Sequence, residues 1–516
     1  MNRTQKTMKN ARFAVLCQII TLLVNLITRR LIVAYLATEY LGLGGLFSNI
    51  LTVLSLAELG IGTSVTYSLY KPIKEGDEGK IRALMRLFGR AYTVIGAAVA
   101  ALGAALLPLL RYFVDDIDAV TAAIPNFYVI YALYVANAAS SYLFSSRRML
   151  IVADQKRYLL SLMSALSQII LCGAAFAVFA ITGNYVIFMA INIVVTFGEN
   201  VILYIIAGKM YPYLKEKSAD ALTPGDKGEI KTNVCASAMH NIGGVLVNGT
   251  DNIIISRFVS FITEGIYTNY HMISAAVDSI LRPIFIGATA SFGDLSVDGD
   301  GERKNAVFHK MFFAGAWLYG FSAICVAVLS RPFVAIWLGE GFELDGFSVF
   351  FVALNLYLLG MRRACICARD AMGLMRYDKW KSIAEAAINL AASIILAKFM
   401  GLPGVLLGTT ISCLSTCFWV EPLVLYKHGI GKGLGKYFAR YALYAAVTGA
   451  AFAATYFICA AIPLTGIWGL IVKALVCLAV PNAIFAVSYC KIEEFKYFNN
   501  YIREKFKLSQ GKGEQK

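Results

Sequence analysis

The chain has 516 residues, of which 58% are hydrophobic and only 15% are charged, and its formal net charge is +15. This composition excludes a soluble globular protein, because a soluble fold could not hide so much apolar surface whereas a bilayer can. The apolar residues fall into fourteen runs, so little of the chain remains for a soluble catalytic domain.

The sequence predicts an all-α polytopic membrane protein with about fourteen transmembrane helices. Each apolar run approaches or exceeds the length of about 20 residues that a helix needs to cross a bilayer. In chain order the predicted spans are 12–36, 42–69, 87–110, 119–143, 158–181, 184–208, 232–256, 264–290, 310–336, 346–366, 382–399, 402–426, 437–461 and 465–489. The first run lacks a small-residue cleavage site, which favours a retained helix over a signal peptide.

Basic residues gather in alternate loops between the spans. The loops around 70–90 and 362–381 are rich in Lys and Arg, whereas Trp337–Asp345 holds three acids and no base. Because cytoplasmic loops retain positive charge, this pattern places both termini in the cytoplasm of a multi-pass protein of the bacterial inner membrane. The net charge is therefore explained by topology, and no nucleic acid partner is expected.

A weak internal repeat predicts two lobes. Gly76-Asp77 and Gly299-Asp300 begin similar patterns 223 residues apart, and each follows the second span of its half. Six helices in each half give the halves the same orientation, so a pseudo-two-fold axis along the membrane normal is predicted. The predicted parts are an N-terminal six-helix lobe at 1–208, a cytoplasmic linker at 209–231, a C-terminal six-helix lobe at 232–427, two extra helices at 428–490 and a basic cytoplasmic tail at 491–516.

The tail combines aromatic and basic residues. Phe495, Phe498, Ile502 and Phe506 recur at helical spacing among several lysines and arginines. This pattern is typical of a basic amphipathic helix on the anionic inner leaflet. A solvated tail is the alternative.

Polar residues inside the spans are the candidate functional groups, since buried charge in a bilayer is costly and usually faces a cavity or a partner. They concentrate in the first, second, seventh and eighth spans, which are equivalent pairs in the predicted repeat, so we expect them to line one chamber. Arginine suits phosphate because its planar fork stays charged and donates two parallel hydrogen bonds. The predicted substrate-binding residues are Arg29, Arg30, Arg282, Asn241 and Asn248, and the predicted ion-coupling residues are Glu58, His240, Asp251 and Asp278.

Several of these residues also have a structural explanation. Asp278 and Arg282, four residues apart, could neutralise each other on one helix face. One of the adjacent Arg29 and Arg30 could extend to the outer headgroups. Asp251 could be a solvated helix end, and His240 could be a structural histidine.

The sequence predicts no enzyme and no cofactor. It contains no strand-linked glycine loop, nucleophile motif or metal-ligand cluster. Its eleven cysteines lie mostly within apolar runs, and Cys365 and Cys367 lack the spacing of a zinc pair, so buried structural residues are favoured. A membrane polymerase or glycosyltransferase remains a less favoured class because it needs a sizeable catalytic loop, and a passive scaffold would leave the buried charges without a purpose.

Seven stretches of the chain carry a resemblance to a known family. They are Glu58–Thr63, Leu69–Ile73, Glu75–Asp77, His240–Gly243, Asn248–Ser256, Arg331–Phe333 and Ile336–Gly339. Over almost its full length the chain resembles the polysaccharide-transporter branch of the multidrug/oligosaccharidyl-lipid/polysaccharide exporter superfamily, which includes the Wzx-like O-antigen flippases.

The resemblance implies two six-helix lobes that rock around a basic central cavity. It also implies ion-coupled passage of a polyprenyl-diphosphate-linked oligosaccharide to the outer leaflet, with a polysaccharide polymerase and glycosyltransferases as partners besides membrane lipids. A peptidoglycan-precursor flippase and a multidrug antiporter are alternatives on the same fold. A drug antiporter favours an acidic or aromatic chamber, and the basic residues here count against it.

Overall fold

The computed structural model describes residues 3–58, 61–216, 222–297, 301–378, 380–500 and 503, and the regular structure in these residues is helical. Short 3₁₀ and π turns join or extend some of the α-helices. The α-helices are α1 Arg3–Tyr35, α2 Tyr40–Leu54, α3 Ile61–Glu75, α4 Glu78–Leu106, α5 Ile117–Ala123, α6 Phe127–Ala153, α7 Arg157–Thr182, α8 Tyr185–Met210, α9 Pro224–Phe258, α10 Phe261–Val297, α11 Gly301–Trp337, α12 Gly346–Ala371, α13 Lys381–Met400, α14 Leu402–Ser412, α15 Phe418–Leu425, α16 Leu434–Ala460 and α17 Gly466–Tyr489.

Eleven helical segments in the described part of the chain are long and apolar enough to cross a membrane. They coincide with eleven of the fourteen predicted spans, so the prediction of an all-α multi-pass membrane protein is confirmed. The other three predicted spans, 42–69, 232–256 and 264–290, correspond to α2 with α3, to α9 and to α10. These three carry most of the polar residues that the sequence singles out.

The second predicted span is interrupted, which corrects the expectation of one helix over 42–69. The α-helix ends at Leu54, a 3₁₀ turn covers Ser55–Glu58, and α3 begins at Ile61. Irregular backbone at membrane depth is tolerated only where protein buries it or where it lines a cavity. Glu58 therefore lies at the end of a turn within the protein and not in the middle of a regular helix.

The start of α4 shows why the repeated Gly-Asp pattern begins a helix. Gly76 has φ +70°, and Asp77 caps the helix by accepting a hydrogen bond from the Lys80 backbone N–H at 2.8 Å. In the second half α11 begins at Gly301, which is 223 residues after the first residue of α4. The corresponding Gly299 and Asp300 lie outside the described residues.

The chain forms two compact units. The first comprises Met1–Thr268 and Asn389–Val405, and the second comprises Asn269–Ile388 and Leu406–Lys516. In the first unit, buried aromatic and aliphatic side chains of α3, α4, α6 and α8 form a core around Phe88 and Tyr92. The division into lobes and a linker at 209–231 stays a prediction.

Within the first unit, the stretch before α9 is held to α4 by ion pairs. Arg82 Nη1 lies 2.7 Å from Glu216 Oε2, and Lys80 Nζ lies 2.7 Å from Asp226 Oδ1. Asp226 also exchanges hydrogen bonds with Thr223 in a capping box at the start of α9. The hydrogen bond from Lys80, reinforced by Thr223, lowers the pKa of Asp226 to about 2.

In the second unit, the tail packs its aromatic residues onto α11. Phe495 stacks on Trp317 and Phe498 stacks on Phe313, with ring centroids 5.8 and 6.1 Å apart. These two rings are therefore partly covered by protein, and the placement of the tail on the inner leaflet stays a prediction. Ile502 and Phe506 lie outside the described residues.

Candidate binding site around Arg29

Arg29 lies on α1, six residues before the helix ends at Tyr35. Its Nη1 donates a hydrogen bond to Thr268 Oγ1 at 3.3 Å, and Glu264 lies one turn earlier on the same face of α10. Arg29 and Glu264 interact electrostatically without forming an ion pair within 4.0 Å. The site thus brings a guanidinium group and a carboxyl group close together without a direct ion pair between them.

Glu264 is fully buried, and within the described structure neither of its carboxylate oxygens has a hydrogen-bond partner. Its position depends on a close approach of α2 to α10. A Cβ at Gly45 would overlap the Glu264 carboxylate, and a Cβ at Gly265 would lie 2.8 Å from the Gly42 backbone nitrogen. Small residues allow helices in a bilayer to approach closely.

A cavity of about 180 Å³ adjoins Arg29 inside the first unit. Its polar lining includes the hydroxyls of Tyr134 and Tyr185, which are 3.1 Å apart, together with Gln168 and Asn192. One cation surrounded by hydroxyl and amide groups suits a ligand that carries negative charge and hydrogen-bonding groups. The volume is that of a small headgroup fragment and not of a whole glycan.

The other predicted substrate-binding residues are placed differently. Arg30, the neighbour of Arg29, is exposed on α1, as the 100° step between successive helical residues requires. Arg282 is exposed on α10 in the second unit. Asn241, Asn248 and the predicted coupling residue His240 lie on α9, but their side chains are outside those described.

Glu58 and Asp251 have aromatic neighbours within the first unit. The Glu58 carboxyl interacts with the Tyr142 hydroxyl of α6. Asp251 is half-buried on α9 and interacts electrostatically with Tyr267 of α10. Neither residue is a fully solvated helix end.

Asp278 belongs to a different cluster, in the second unit. Both of its oxygens lie 2.6–2.7 Å from Arg363 Nη2, and Tyr319 donates a hydrogen bond to Oδ1 at 2.7 Å. The alternative that Asp278 pairs with Arg282 is therefore wrong, because Asp278 forms its ion pair with Arg363. Arg363, which the sequence places where the predicted span 346–366 meets the basic loop around 362–381, lies within α12.

A larger buried network in the second unit was not predicted. Glu421 of α15 accepts hydrogen bonds from Arg362 Nη2 at 2.8 Å and from Lys381, and Arg362 also pairs with Glu385 at 3.1 Å. Two features of the sequence could have indicated this network. They are the four-residue spacing of Lys381 and Glu385 and the position of Glu421 inside an apolar run. Glu264 was missed because it stands at the predicted edge of a span.

Solved structures with the same fold are transporters. An inward-facing multidrug resistance MATE family transporter of the MOP superfamily superposes with a TM-score of 0.62 and 12% identity, over 80% of this chain and 98% of its own. The lipid II flippase MurJ in an inward closed conformation superposes with a TM-score of 0.64 and 13% identity, over 94% of this chain and 99% of its own. A MATE transporter of Vibrio cholerae superposes with a TM-score of 0.55 and 14% identity, over 84% of this chain and 100% of its own.

The chain has the fold of these transporters. No protein-family model and no curated protein sequence matches it. The predicted polytopic helical fold is thereby confirmed, and membership of the superfamily and of its Wzx-like branch stays a prediction because identities of 12–14% show the fold alone.

Proposed function

We propose that this protein is a flippase that moves a polyprenyl-diphosphate-linked oligosaccharide from the inner to the outer leaflet of the bacterial cytoplasmic membrane. Alternating access around a polar chamber would replace the hydration of the sugars and the diphosphate, while the lipid tail stays in the bilayer. The observation that carries the proposal is the incompletely paired Arg29 at a cavity rich in hydroxyl and amide groups.

Arg29 is the residue that we assign to the diphosphate. It stays charged at every physiological pH, and its only hydrogen bond within the described residues goes to the neutral Thr268 hydroxyl. A phosphate oxygen is a stronger acceptor than a hydroxyl. A bound diphosphate can therefore replace the weak contact to Thr268 without breaking a close ion pair.

Glu264 supplies the counter-charge in the empty carrier. With a diphosphate bound, the buried carboxylate and the ligand repel each other, so loading favours uptake of a cation by Glu264. Glu58, His240, Asp251 and Asp278 remain further candidates for ion coupling. The membrane potential, negative inside, adds about 2.3 kcal/mol per charge per 100 mV to outward movement of an anion.

The competing substrates differ in charge. A peptidoglycan-precursor flippase shares the lipid diphosphate, and the similarity to the lipid II flippase covers 94% of this chain. A multidrug antiporter would bind cations, which Arg29 disfavours. A surface-polysaccharide role with a polymerase and glycosyltransferases as partners rests on the sequence resemblance.

The test is a flipping assay with the purified full chain in vesicles. A short-chain polyprenyl-diphosphate oligosaccharide should reach the outer leaflet at least tenfold more slowly with Arg29→Gln. Lys398→Gln, which removes an exposed cation from the last turn of α13, is the matched control and should leave the rate unchanged.

Three further substrates distinguish the candidate functions. A polyprenyl-linked sugar without the diphosphate should be a poor substrate, a lipid-linked muropeptide tests the peptidoglycan alternative, and a cationic dye tests the antiporter. Unaltered transport of the diphosphate substrate by Arg29→Gln overturns the proposed role of this site.

A further inference from the structure

A second and larger cavity, of about 460 Å³, lies within the second unit. It is lined by the last turns of α11 and α16 and the first turns of α17, together with the segment that follows α11. These ends belong to one face of the protein, which the sequence predicts to be the outer face. The proposed transport function does not involve this cavity.

Four charged residues line this cavity, two of each sign. Arg331 Nη2 pairs with Glu343 Oε2 at 3.0 Å, and Glu340 and Lys473 are the other two. No ion pair within 4.0 Å involves Lys473 in the described part of the chain. A lysine inside a spanning helix is costly unless it finds an anion, so its presence here calls for a partner.

The charges lie at different heights along the helices that line the cavity. Glu340 lies beyond the end of α11 at Trp337, at the level of the helix ends. Arg331 is six residues below that end and Lys473 is seven residues below the start of α17, so both backbones lie about 10 Å deeper. The apolar lining includes Val328, three residues deeper than Arg331 on α11, and Leu470, which lies three residues nearer the start of α17 than Lys473.

A carboxylate at the level of the helix ends, with two cations deeper along the helices, is complementary to one class of lipid. In phosphatidylethanolamine the ammonium is outermost, the phosphate lies beneath it, and the acyl chains extend into the bilayer. Long Lys and Arg side chains can rise from their backbone positions to meet a phosphate. We propose that this cavity binds the phosphoethanolamine headgroup of a membrane phospholipid, with the ammonium at Glu340 and the phosphate at Lys473 and Arg331.

The balance of charge favours a zwitterion over an anionic headgroup. The four side chains sum to zero, so a neutral headgroup preserves neutrality while it satisfies Lys473. A phosphatidylglycerol headgroup would place only hydroxyls next to Glu340 and would add a net negative charge beside two carboxylates. The site therefore discriminates by the ammonium group and not by the phosphate alone.

Binding is measured by native mass spectrometry of the full chain, with phosphatidylethanolamine and phosphatidylglycerol that carry identical acyl chains. The wild-type protein should retain phosphatidylethanolamine at least tenfold more tightly. Lys473→Gln should weaken the binding of both lipids. Glu340→Gln should abolish the preference for phosphatidylethanolamine and retain the binding of phosphatidylglycerol. Lys398→Gln and Asp118→Asn, which remove exposed charges elsewhere, should change neither.

A competition experiment separates headgroup recognition from contact with acyl chains. Soluble glycerophosphoethanolamine should displace the lipid from the wild-type protein, and glycerophosphoglycerol should not. Equal retention of both lipids, undiminished binding by Lys473→Gln, or equal effects of the two soluble headgroups would overturn the proposal. If Lys473→Gln fails to fold, Glu340→Gln and the competition decide.

Discussion

Two groups of buried charges in this protein differ in how completely they are paired. Around Arg362, Lys381 and Glu421 in the second unit, each charged group touches an opposite charge. Around Arg29 in the first unit, the part of the chain that the structure describes offers Glu264 no hydrogen-bond partner and gives Arg29 only a neutral hydroxyl as acceptor. A saturated network stabilises one structure, whereas an incompletely satisfied pair beside a cavity can exchange its partner for a ligand or an ion.

Glu421→Gln should have the largest effect on stability. It weakens the contacts of two buried cations at once and leaves positive charge poorly compensated, so we expect a loss of about 3 to 5 kcal/mol in unfolding free energy. Thermal and denaturant unfolding of the purified protein in detergent measures it. A variant as stable as the wild type would show that the network is not structural.

Gly45→Ala should have the next largest effect on the free energy of unfolding. The added methyl group overlaps the Glu264 carboxylate and separates α2 from α10, which costs about 1 to 3 kcal/mol as overpacking does elsewhere. The control is Gly173→Ala on α7, where no atom lies within 4 Å of the new Cβ. That variant should be unchanged or stabilised by up to about 1 kcal/mol. Equal stability of both variants would contradict the close approach.

Glu264→Gln separates function from stability most clearly. Because the Glu264 carboxyl group has no hydrogen-bond partner among the described residues, its neutralisation should not destabilise the fold, in contrast to the same change at Glu421. Arg29 loses its counter-charge, so binding of the diphosphate lipid should tighten about tenfold, which corresponds to about 1.4 kcal/mol. Equilibrium binding and the ion dependence of flipping are the measurements. A destabilised Glu264→Gln with unchanged binding would assign Glu264 to the structure alone.

Asp226→Asn should have the smallest effect, below about 1 kcal/mol, because its pair with Lys80 is solvent-accessible. The pKa of Asp226 is depressed to about 2 in the folded protein, so the contribution is present above the unfolded value near 4 and is lost as the pH falls towards 2. The difference in melting temperature between wild type and variant should be constant from pH 8 to 5, should shrink below about pH 4 and should vanish near pH 2. A difference that changes between pH 8 and 5 would show that the titration of a group other than Asp226 contributes to it.

The sequence predicted the candidate site in part. Arg29 was predicted because an arginine inside an apolar run is rare and costly, whichever residue it faces. Glu264 and Glu421 were missed because one stands at the edge of a run and the other occurs singly within one. Asp278 was found, but its partner Arg363 is 85 residues away, so no local spacing could reveal the pair.

Hydropathy and the distribution of basic residues determined that this is a helical membrane protein, and they placed most of its spans, because transfer of side chains into lipid is a local and nearly additive property. They could not determine where the second span breaks or which buried charges meet. Those outcomes depend on the rotation and axial position of each helix, which are set by packing contacts between distant segments. Close approaches such as Gly45 to Glu264 and pairs such as Asp278 to Arg363 exist only once those contacts have formed.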